Sequence, residues 1–581
     1  MDRKAIARVL EEVAGLLDLK GENSFKVRAY ENAARAVLAF EGDLGEAVES
    51  RELLKVRGIG SSIFTGIESL VKTGRFPLHD ELKATLPAGL SDFLRVPGLG
   101  ARKAKALYDG LGVDSLDALE KACLEGKLEG LKGFGPKSCA NILKGIGLVR
   151  VSAGSFHYHT ARRKADELLV ALAGTNLAAR VSIAGSLRRR KEVIRDIDLL
   201  AVSTSPDALA RAFRELPGVT DVIGSGETKT SVRFLDGLSA DLRVVVEEAF
   251  PAALLYFTGS KEHNTTLRGR AKRLGFKLNE YGLFHENSEE RVLCASEAEI
   301  YQRLGLAYVE PELREDRGEI EAAEHGTLPR LLEEKDLKGL IHLHTTESDG
   351  RDSLEAMVSA VQNAGYSYAA ITDHSKTAAY AGGLTEERVL SQREEVRRLR
   401  SKFPGFRIFH GTEADILADG SIDFGDAFLE GFDLVVASVH SRFGLSPEEQ
   451  TKRLLKAVSN PRVSILGHPT GRLLLEREGF TADMEKVIAA AAESGCAIEI
   501  NASPHRLDLD WRLCRQAADK GVALSVDPDA HSAEALSDTT YGVGVARKGW
   551  VTPGSTLNAK TSEELETWLT QRRGKPLPAA T

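Results

Sequence analysis

The sequence predicts a multidomain protein with an α-helical N-terminal region, a central α/β unit carrying an α+β appendage, and a C-terminal distorted β/α barrel of seven strands. Three observations predict it. A glycine hairpin recurs three times before residue 140, and a strand–turn–strand with close carboxylates lies near residue 190. Beyond residue 338, strand-length apolar runs repeatedly end in histidine or an acid. The length agrees, because 581 residues at about 150 per domain make roughly four compact units. With 42% hydrophobic and 28% charged residues, the chain can build large cores and is not disordered throughout. No apolar run approaches the roughly 18 residues that cross a bilayer. The opening MDRKAIARVLEEVAGLL lacks a signal-peptide core. A soluble, cytoplasmic protein with no membrane partner is expected. The five cysteines (Cys123, Cys139, Cys294, Cys496, Cys514) form no CxxC pair and read as small buried hydrophobes in a reducing compartment.

The net charge of −8 hides a gradient. Residues 51–200 hold 25 Lys+Arg against 16 Asp+Glu, whereas residues 338–581 hold 28 against 34. The first stretch suits phosphates and the second suits cations. Within the basic stretch, Val56–Gly60, Val96–Gly100 and Leu131–Gly135 share an apolar-x-Gly-apolar-Gly pattern. The paired glycines are Gly58 and Gly60, Gly98 and Gly100, and Gly133 and Gly135. Each pair makes a tight turn around one anchored apolar residue, and the following helix presents free N–H groups to a backbone phosphate. One such turn is commonplace, whereas three in helical surroundings favour nucleic-acid binding. The pattern resembles the helix-hairpin-helix motif of DNA repair and polymerase proteins.

Residues 181–202, VSIAGSLRRRKEVIRDIDLLAV, read as a strand, a Gly185-Ser186 turn, an arginine run and a second strand. Period-two spacing places Asp196 and Asp198 on one face of that strand, and Asp241 in SADLRVVVE lies on another. Alone, the DxD pair reads as a solvated strand face as readily as a site. Beside the turn and the arginines it reads as a divalent-cation centre, with oxygen ligands suited to magnesium or manganese. The turn, Ser186 and Arg189 would then hold a triphosphate.

These residues resemble the nucleotidyltransferase centre of family X DNA polymerases. The resemblance extends over roughly residues 1–315 and implies a palm at 151–248 and a nucleotide-selecting subdomain at 249–315. It implies catalytic roles for Asp196, Asp198 and Asp241, and nucleotide contacts by Gly185, Ser186, Arg189, Tyr256, Phe257, Gly259 and Asn264. Gly226–Lys229 resembles the template-contacting segment, so Lys229 would touch DNA, and Asn264 and Arg268 fall where the family contacts the minor groove of the nascent pair. Tyr256 would exclude a ribose 2′-hydroxyl; read from residues alone, Tyr256 and Phe257 are also a plausible core aromatic pair. Deoxynucleoside triphosphates and gapped or nicked DNA are the implied partners.

The N-terminal region resembles the family's end-binding domain at 1–80, followed by a helical DNA-binding subdomain at 81–150. Some relatives use a lysine Schiff base there to cleave abasic sites. Here the corresponding place is Gly66, a neighbouring phosphate-binding position is Ser62, and Lys72 falls out of phase. No lyase is expected. The same resemblance implies a monovalent cation, sodium or potassium, on the carbonyls of Leu54, Val56 and Ile59 and of Leu94, Val96 and Leu99.

Residues 311–337 hold 4 Lys+Arg against 9 Asp+Glu, and 316–337 reads as a partly helical linker. Beyond it, successive strand ends deliver His342 and His344, His374, Glu413, His440, His468, then Asp529 and His531, with Asp349 following the first pair. Strand ends converge on one face of a β/α barrel, so nine such residues point to a metal site of two or three ions. Imidazole and carboxylate together suit manganese, zinc or iron. His410 and His505 read as structural or outer residues. The motifs HLHTTESDG, TDHS, SVH, GHP and DAH resemble the PHP phosphoesterase domain, implied here over 338–570. That family usually has an aspartate where this chain has Leu340, which predicts a loss of ligand orientation.

The whole resembles bacterial family X polymerases fused to a PHP domain. It implies gap-filling DNA synthesis in repair, together with 3′-to-5′ exonuclease action. Abasic-site cleavage and 3′-phosphate removal are implied companions. A PHP nuclease or phosphatase whose polymerase half is a vestigial DNA-holding platform remains the alternative. A monomer is expected, and the tail 571–581 is read as disordered.

Overall fold

The computed structural model describes residues 3–38, 40, 44–131, 133–226 and 228–578. Lys132 and Glu227, which belong to the third hairpin and to the 226–229 segment, lie outside the described residues. The chain divides into two compact units, Met1–Ala153 with Leu475–Arg477 and Gly154–Leu474 with Glu478–Thr581.

The first unit is helical. Its core is built from amphipathic faces, such as Ile6, Leu10, Val13 and Leu17 of helix Arg3–Lys20, which recur at helical spacing and are buried. The three hairpins share one geometry. Gly58, Gly98 and Gly133 take φ of +103°, +81° and +93°, a region open to glycine without strain. The enclosed Ile59, Leu99 and Phe134 are buried, and each donates its amide to the residue three back, at 3.0–3.1 Å.

The second unit joins three layers of structure. A five-stranded sheet has strands β1 (Arg180–Ile183), β2 (Asp196–Val202), β3 (Val219–Ser225), β4 (Lys229–Phe234) and β5 (Ser239–Val245), in the order β1-β2-β5-β4-β3. Only β2 and β5 run parallel. Ile197, Leu199 and Ala201 of β2 pack on helices Tyr158–Gly174 and Pro206–Arg214, which fixes the opposite face of β2 for its aspartates. A helical pair, Phe250–Thr258 and Lys261–Arg273, leads into a small antiparallel sheet of β6 (Phe276–Asn279), β7 (Gly282–His285) and β8 (Arg291–Val292).

The barrel follows. Its strands are β9 (Gly339–Leu343), β10 (Tyr368–Ile371), β11 (Arg407–Asp415), β12 (Leu434–Ser438), β13 (Ile465–Leu466), β14 (Ala497–Asn501) and β15 (Leu524–Asp527), all parallel and paired in chain order. A bridge between Leu343 and Ala530, with His344 N donating to Ala530 O at 2.9 Å, nearly closes the ring. The strands are buried almost throughout, as parallel strands covered on both faces must be.

Residues 316–337, expected as a partly helical linker, contain helix Glu319–His325 and pack in part against the fold. Glu319 is fully buried, 2.6 Å from His263 Nδ1, and Ile320, Ala323 and Leu331 join the hydrophobic cluster around Leu267. Just upstream, buried Arg314 donates to Glu297 at 2.7 Å, and Arg547 donates to Glu312 at 2.7 Å. The tail is also ordered where it begins. Residues 571–573 end helix Ser562–Arg573, and buried Arg573 donates to Glu430 O at 2.7 Å; residues 579–581 lie outside the described residues. Among the described residues, no helix is long and apolar enough to cross a membrane.

The barrel also grips the sheet domain. Arg472 lies 2.5 Å from Glu192 and 2.8 Å from Asp510. Lys548, at the end of helix Thr539–Lys548, is buried against Glu315 Oε1 at 2.6 Å and donates to Arg189 O at 3.1 Å. Burial pulls its ammonium down to about 8, against the upward pull of Glu315.

Candidate active sites

The first candidate centre lies on the open face of β2 and β5. Asp198 is in register with Asp241 on the adjacent strand, and Asp196 stands two residues before Asp198. Burial, then the charges of Asp196 and Asp241, push the Asp198 carboxyl up to about 7. Asp196 is raised by burial and by Asp241. Three acids that disfavour each other's charge form a site that a divalent cation would relieve. Gly185, at φ +63°, begins the turn directly against this cluster: a Cβ there would fall on Asp198 Oδ2, well inside contact distance. The turn thus brings its backbone as close to the acids as glycine permits. Ser186 follows, half-buried.

Lys229 and Arg189 each hold a partner within the protein. Lys229, expected on DNA, holds its Nζ 2.5 Å from Asp241 Oδ2, because the acid cluster is the strongest local attractor for its ammonium. Arg189, expected on a triphosphate, is 11% exposed and engaged elsewhere: its Nε donates to Glu315 at 3.0 Å and its Nη1 to Thr258 O. Arg188 is likewise spent on Glu297 (2.5 and 2.9 Å) and on Thr258 Oγ1 (2.6 Å). The arginine run anchors the turn from behind.

Tyr256 and Phe257 are half-buried and meet edge-on at 5.1 Å between ring centres, with the Arg243 guanidinium 4.2 Å over Phe257. Asn264 donates its side-chain amide to Tyr256 O at 2.7 Å, fixing the Tyr256 backbone. Gly259 takes φ +70° beside Arg189 Nη1, which a Cβ would approach to 3.0 Å. Arg268 is exposed on helix Lys261–Arg273, one turn beyond Asn264.

The second candidate centre lies at the C-terminal ends of the barrel strands, and all nine expected residues meet there. Glu413 is its hub. Its carboxylate lies 3.4 Å from His342, 3.6 Å from His344, 2.8 Å from His374, 3.2 Å from His440 and 2.9 Å from His468. Asp529 lies 3.2 Å from His344, and Asp349 lies 3.2 Å from His531 and 3.6 Å from His374. Burial alone would raise the Glu413 carboxyl; His440, His374 and His342 outweigh it and hold it well below the carboxylate range. His344 is pushed down to about 3 by burial and by His531 and His374.

The donor set fits metal ions. His342 Nε2, His344 Nε2 and His374 Nδ1 are buried ring nitrogens without hydrogen bonds, which is costly unless a cation takes their lone pairs. Ligand atoms of His344, Asp349, His374 and His531 lie within 4.8 Å of one another, as do those of His342, His344 and Asp529, and those of His374, Glu413 and His440. Backbone strain accompanies the cluster, since His342, Asp529 and His468 take φ of +62°, +52° and +22°.

Three outer acids escaped the sequence reading. Glu499 accepts from His342 Nδ1 at 2.5 Å and from the His468 amide at 2.5 Å. Asp415 lies 2.6 Å from His440 Nδ1. Buried Asp373 accepts from Thr345, Ser348 and Gln392 at 2.5–2.7 Å. Glu499 stands two residues before the end of β14, and period two could have placed it inward. It supplies the orienting carboxylate that Leu340 cannot. Glu499→Gln is therefore expected to weaken metal retention about 10–100-fold, read as bound metal after dialysis against a chelator series. His410 stays outside the cluster, buried 3.1 Å from Gln392, and His505 packs against His157 at 4.7 Å.

In the first unit, Gly60, Gly100 and Gly135 cap helices Ser61–Thr73, Ala101–Leu111 and Pro136–Ser152 without a side-chain bond, so first-turn amides not used within the helix can meet an outside acceptor, Pro136 having none to offer. Gly66 is buried against the Phe76 ring, where even a Cβ would collide, and Lys72 is paired with Glu68 at 2.7 Å. Borohydride treatment with abasic DNA is expected to trap no adduct on this unit; a covalent band would overturn that.

Comparison with known proteins matches four family models: a helix-hairpin-helix domain over residues 1–76, a SAM-like helix-hairpin-helix tandem over 90–147, the DNA polymerase beta thumb over 253–315, and the PHP domain over 341–503. The DNA polymerase/3′-5′ exonuclease PolX of Bacillus subtilis (strain 168) is 39% identical over 571 residues, covering 98% of this chain and 99% of that protein. Part of the chain is similar to a probable phosphatase of Thermoanaerobacter sp. (strain X514), 29% identical over 187 residues, 30% of this chain and 74% of that protein. With helix-hairpin-helix, thumb and PHP segments in this order and a relative matched from end to end, the chain belongs to the bacterial family X DNA polymerases that carry a PHP domain.

Proposed function

We infer that this protein fills short gaps in DNA from deoxynucleoside triphosphates at the β2–β5 centre and removes 3′ nucleotides at the barrel centre. The observation that carries the reading is the pairing of Asp198 with Asp241 beside the Gly185 turn, in a chain that also assembles a nine-ligand barrel site.

At the first centre, Asp196, Asp198 and Asp241 would hold magnesium or manganese. At the second, the nine barrel residues would hold two or three ions of manganese, zinc or iron. Bound there, such ions supply charge neutralisation of phosphate oxygens and a more acidic attacking hydroxyl or water. The chain's own residues do the rest. The Gly185–Ser186 turn offers N–H groups to the triphosphate, held from behind by Arg188 and Arg189. The Tyr256 backbone, fixed by Asn264, would exclude a ribose 2′-hydroxyl and so favour deoxynucleotides. Lys229, now paired with Asp241, would be available to the template strand if Asp241 held a cation. Arg268 lies on the same helix face as Asn264, one turn on, suited to the nascent pair.

At the barrel, Glu499 and Asp415 orient His342 and His440, so that their opposite ring nitrogens face the centre. The three hairpins would grip DNA through backbone phosphates. A sodium or potassium ion on the carbonyls of the first two fits, although Val56 O and Val96 O each already accept one amide and offer a single remaining lone pair. Abasic-site cleavage and 3′-phosphate removal use the same phosphoester chemistry and are companion activities of this reading.

The test is a 5′-labelled primer on one-nucleotide-gapped DNA with manganese and deoxynucleotides. Extension by one, alongside shortening without deoxynucleotides, supports both centres. Shortening without any extension would leave the palm a DNA-holding platform.

A further inference from the structure

The mouth of the barrel centre carries one exposed aromatic ring on a rigid mount. Tyr380 is 72% exposed, yet its ring centre lies 6.4 Å from those of His374 and His440. A single exposed tyrosine is ordinary on a protein surface. The loop that carries it is not. Ala378 and Ala381 on either side are buried, the amides of Ala381 and Gly383 return to Ala378 O at 2.9 and 3.1 Å, and Ser375 bridges to Leu384. Gly383 packs so closely on Ser375 O that no Cβ fits. The loop spends its small residues on anchorage and holds its one large ring toward solvent.

Arg506 stands at the same centre, its Nε 3.8 Å from Asp529 Oδ2. Asp529 is its one ion partner among the described residues, and a long one. A ring beside His374 and His440 and a guanidinium beside Asp529 offer one partner to each half of a nucleotide, the flat base and the anionic phosphate.

We propose that Tyr380 and Arg506 form a terminal-nucleotide subsite of the barrel, with the Tyr380 ring stacking on the base of the 3′ nucleotide being removed and Arg506 pairing with its phosphate. The inference rests on the nuclease reading above and adds what the metal ligands leave open, the choice of a base-bearing end. Stacking on an aromatic face is tolerant of sequence, so all four bases are accepted.

The test compares single-stranded DNA ending in an ordinary 3′ nucleotide with the same strand ending in an abasic 3′ nucleotide, using wild type, Tyr380→Ala and Tyr380→Phe. Wild type is expected to prefer the base-bearing end roughly 10-fold or more in kcat/KM, mostly through KM. Tyr380→Ala is expected to bring that ratio close to one, and Tyr380→Phe to keep it. A 3′-terminal 2-aminopurine, read in chelator, should be less quenched by Tyr380→Ala than by wild type. Equal ratios in all three proteins would overturn the subsite while leaving the nuclease intact. If wild type shortened neither strand, the nuclease reading and the subsite would fall together.

Discussion

Asp198→Asn is expected to abolish gap filling and spare the shortening of the same primer. Asp198 sits deepest in the acid cluster, raised to about 7 by burial and by its neighbours Asp196 and Asp241. Its carboxylate is the one against which the Gly185 turn is packed, so on the proposed reading it would join the cation to the triphosphate. Asparagine keeps the shape and removes the charge. Loss of one group that stabilises transition-state charge costs roughly 10²–10³-fold, and a shared cation ligand should cost at least that. The measurement is single-turnover extension on gapped DNA, with primer shortening scored in the same lanes. The variant should also melt higher than wild type in chelator, because a buried charge among like charges has been removed. Extension at the wild-type rate would place the chemistry elsewhere.

Glu413→Gln should produce the opposite phenotype. Its carboxylate lies within 3.6 Å of five imidazoles, more partners than any other barrel residue has in the cluster. Removing its charge leaves those histidines around a neutral amide, unable to bridge cations. The loss of 3′ shortening should exceed the roughly 10–100-fold expected for an outer partner such as Glu499. Bound metal, counted by elemental analysis after dialysis, should fall with it. Extension by one nucleotide should persist. If Glu413→Gln lost extension and kept its metal, the assignment of separate centres would be wrong.

Much of this site was legible because its signals are local. Each hairpin is five residues long, so its turn, its buried residue and its helix start can be read together. The nine barrel residues stand at strand ends, and the fold brings strand ends to one place regardless of distance. What could not be read depends on partners far along the chain. Arg189 looks like a phosphate ligand beside its turn, but its partner Glu315 lies 126 residues onward, as Glu297 lies 109 residues beyond Arg188. The charge of 311–337 suggests solvent until His263, Glu297 and Arg547 are seen to neutralise it. Tyr380 has no signature at all, since its meaning lies in the rigidity of the loop beneath it.

The grip of Lys548 on Arg189 O and Glu315 also sets a clock. Arg189 and Lys548 are 359 residues apart. At about 5–20 residues per second, the ribosome needs roughly 20–70 s to make the lysine after it has made the arginine. The Gly185 turn is thus translated early and braced late. During synthesis, this brace on the front half waits for the barrel to emerge.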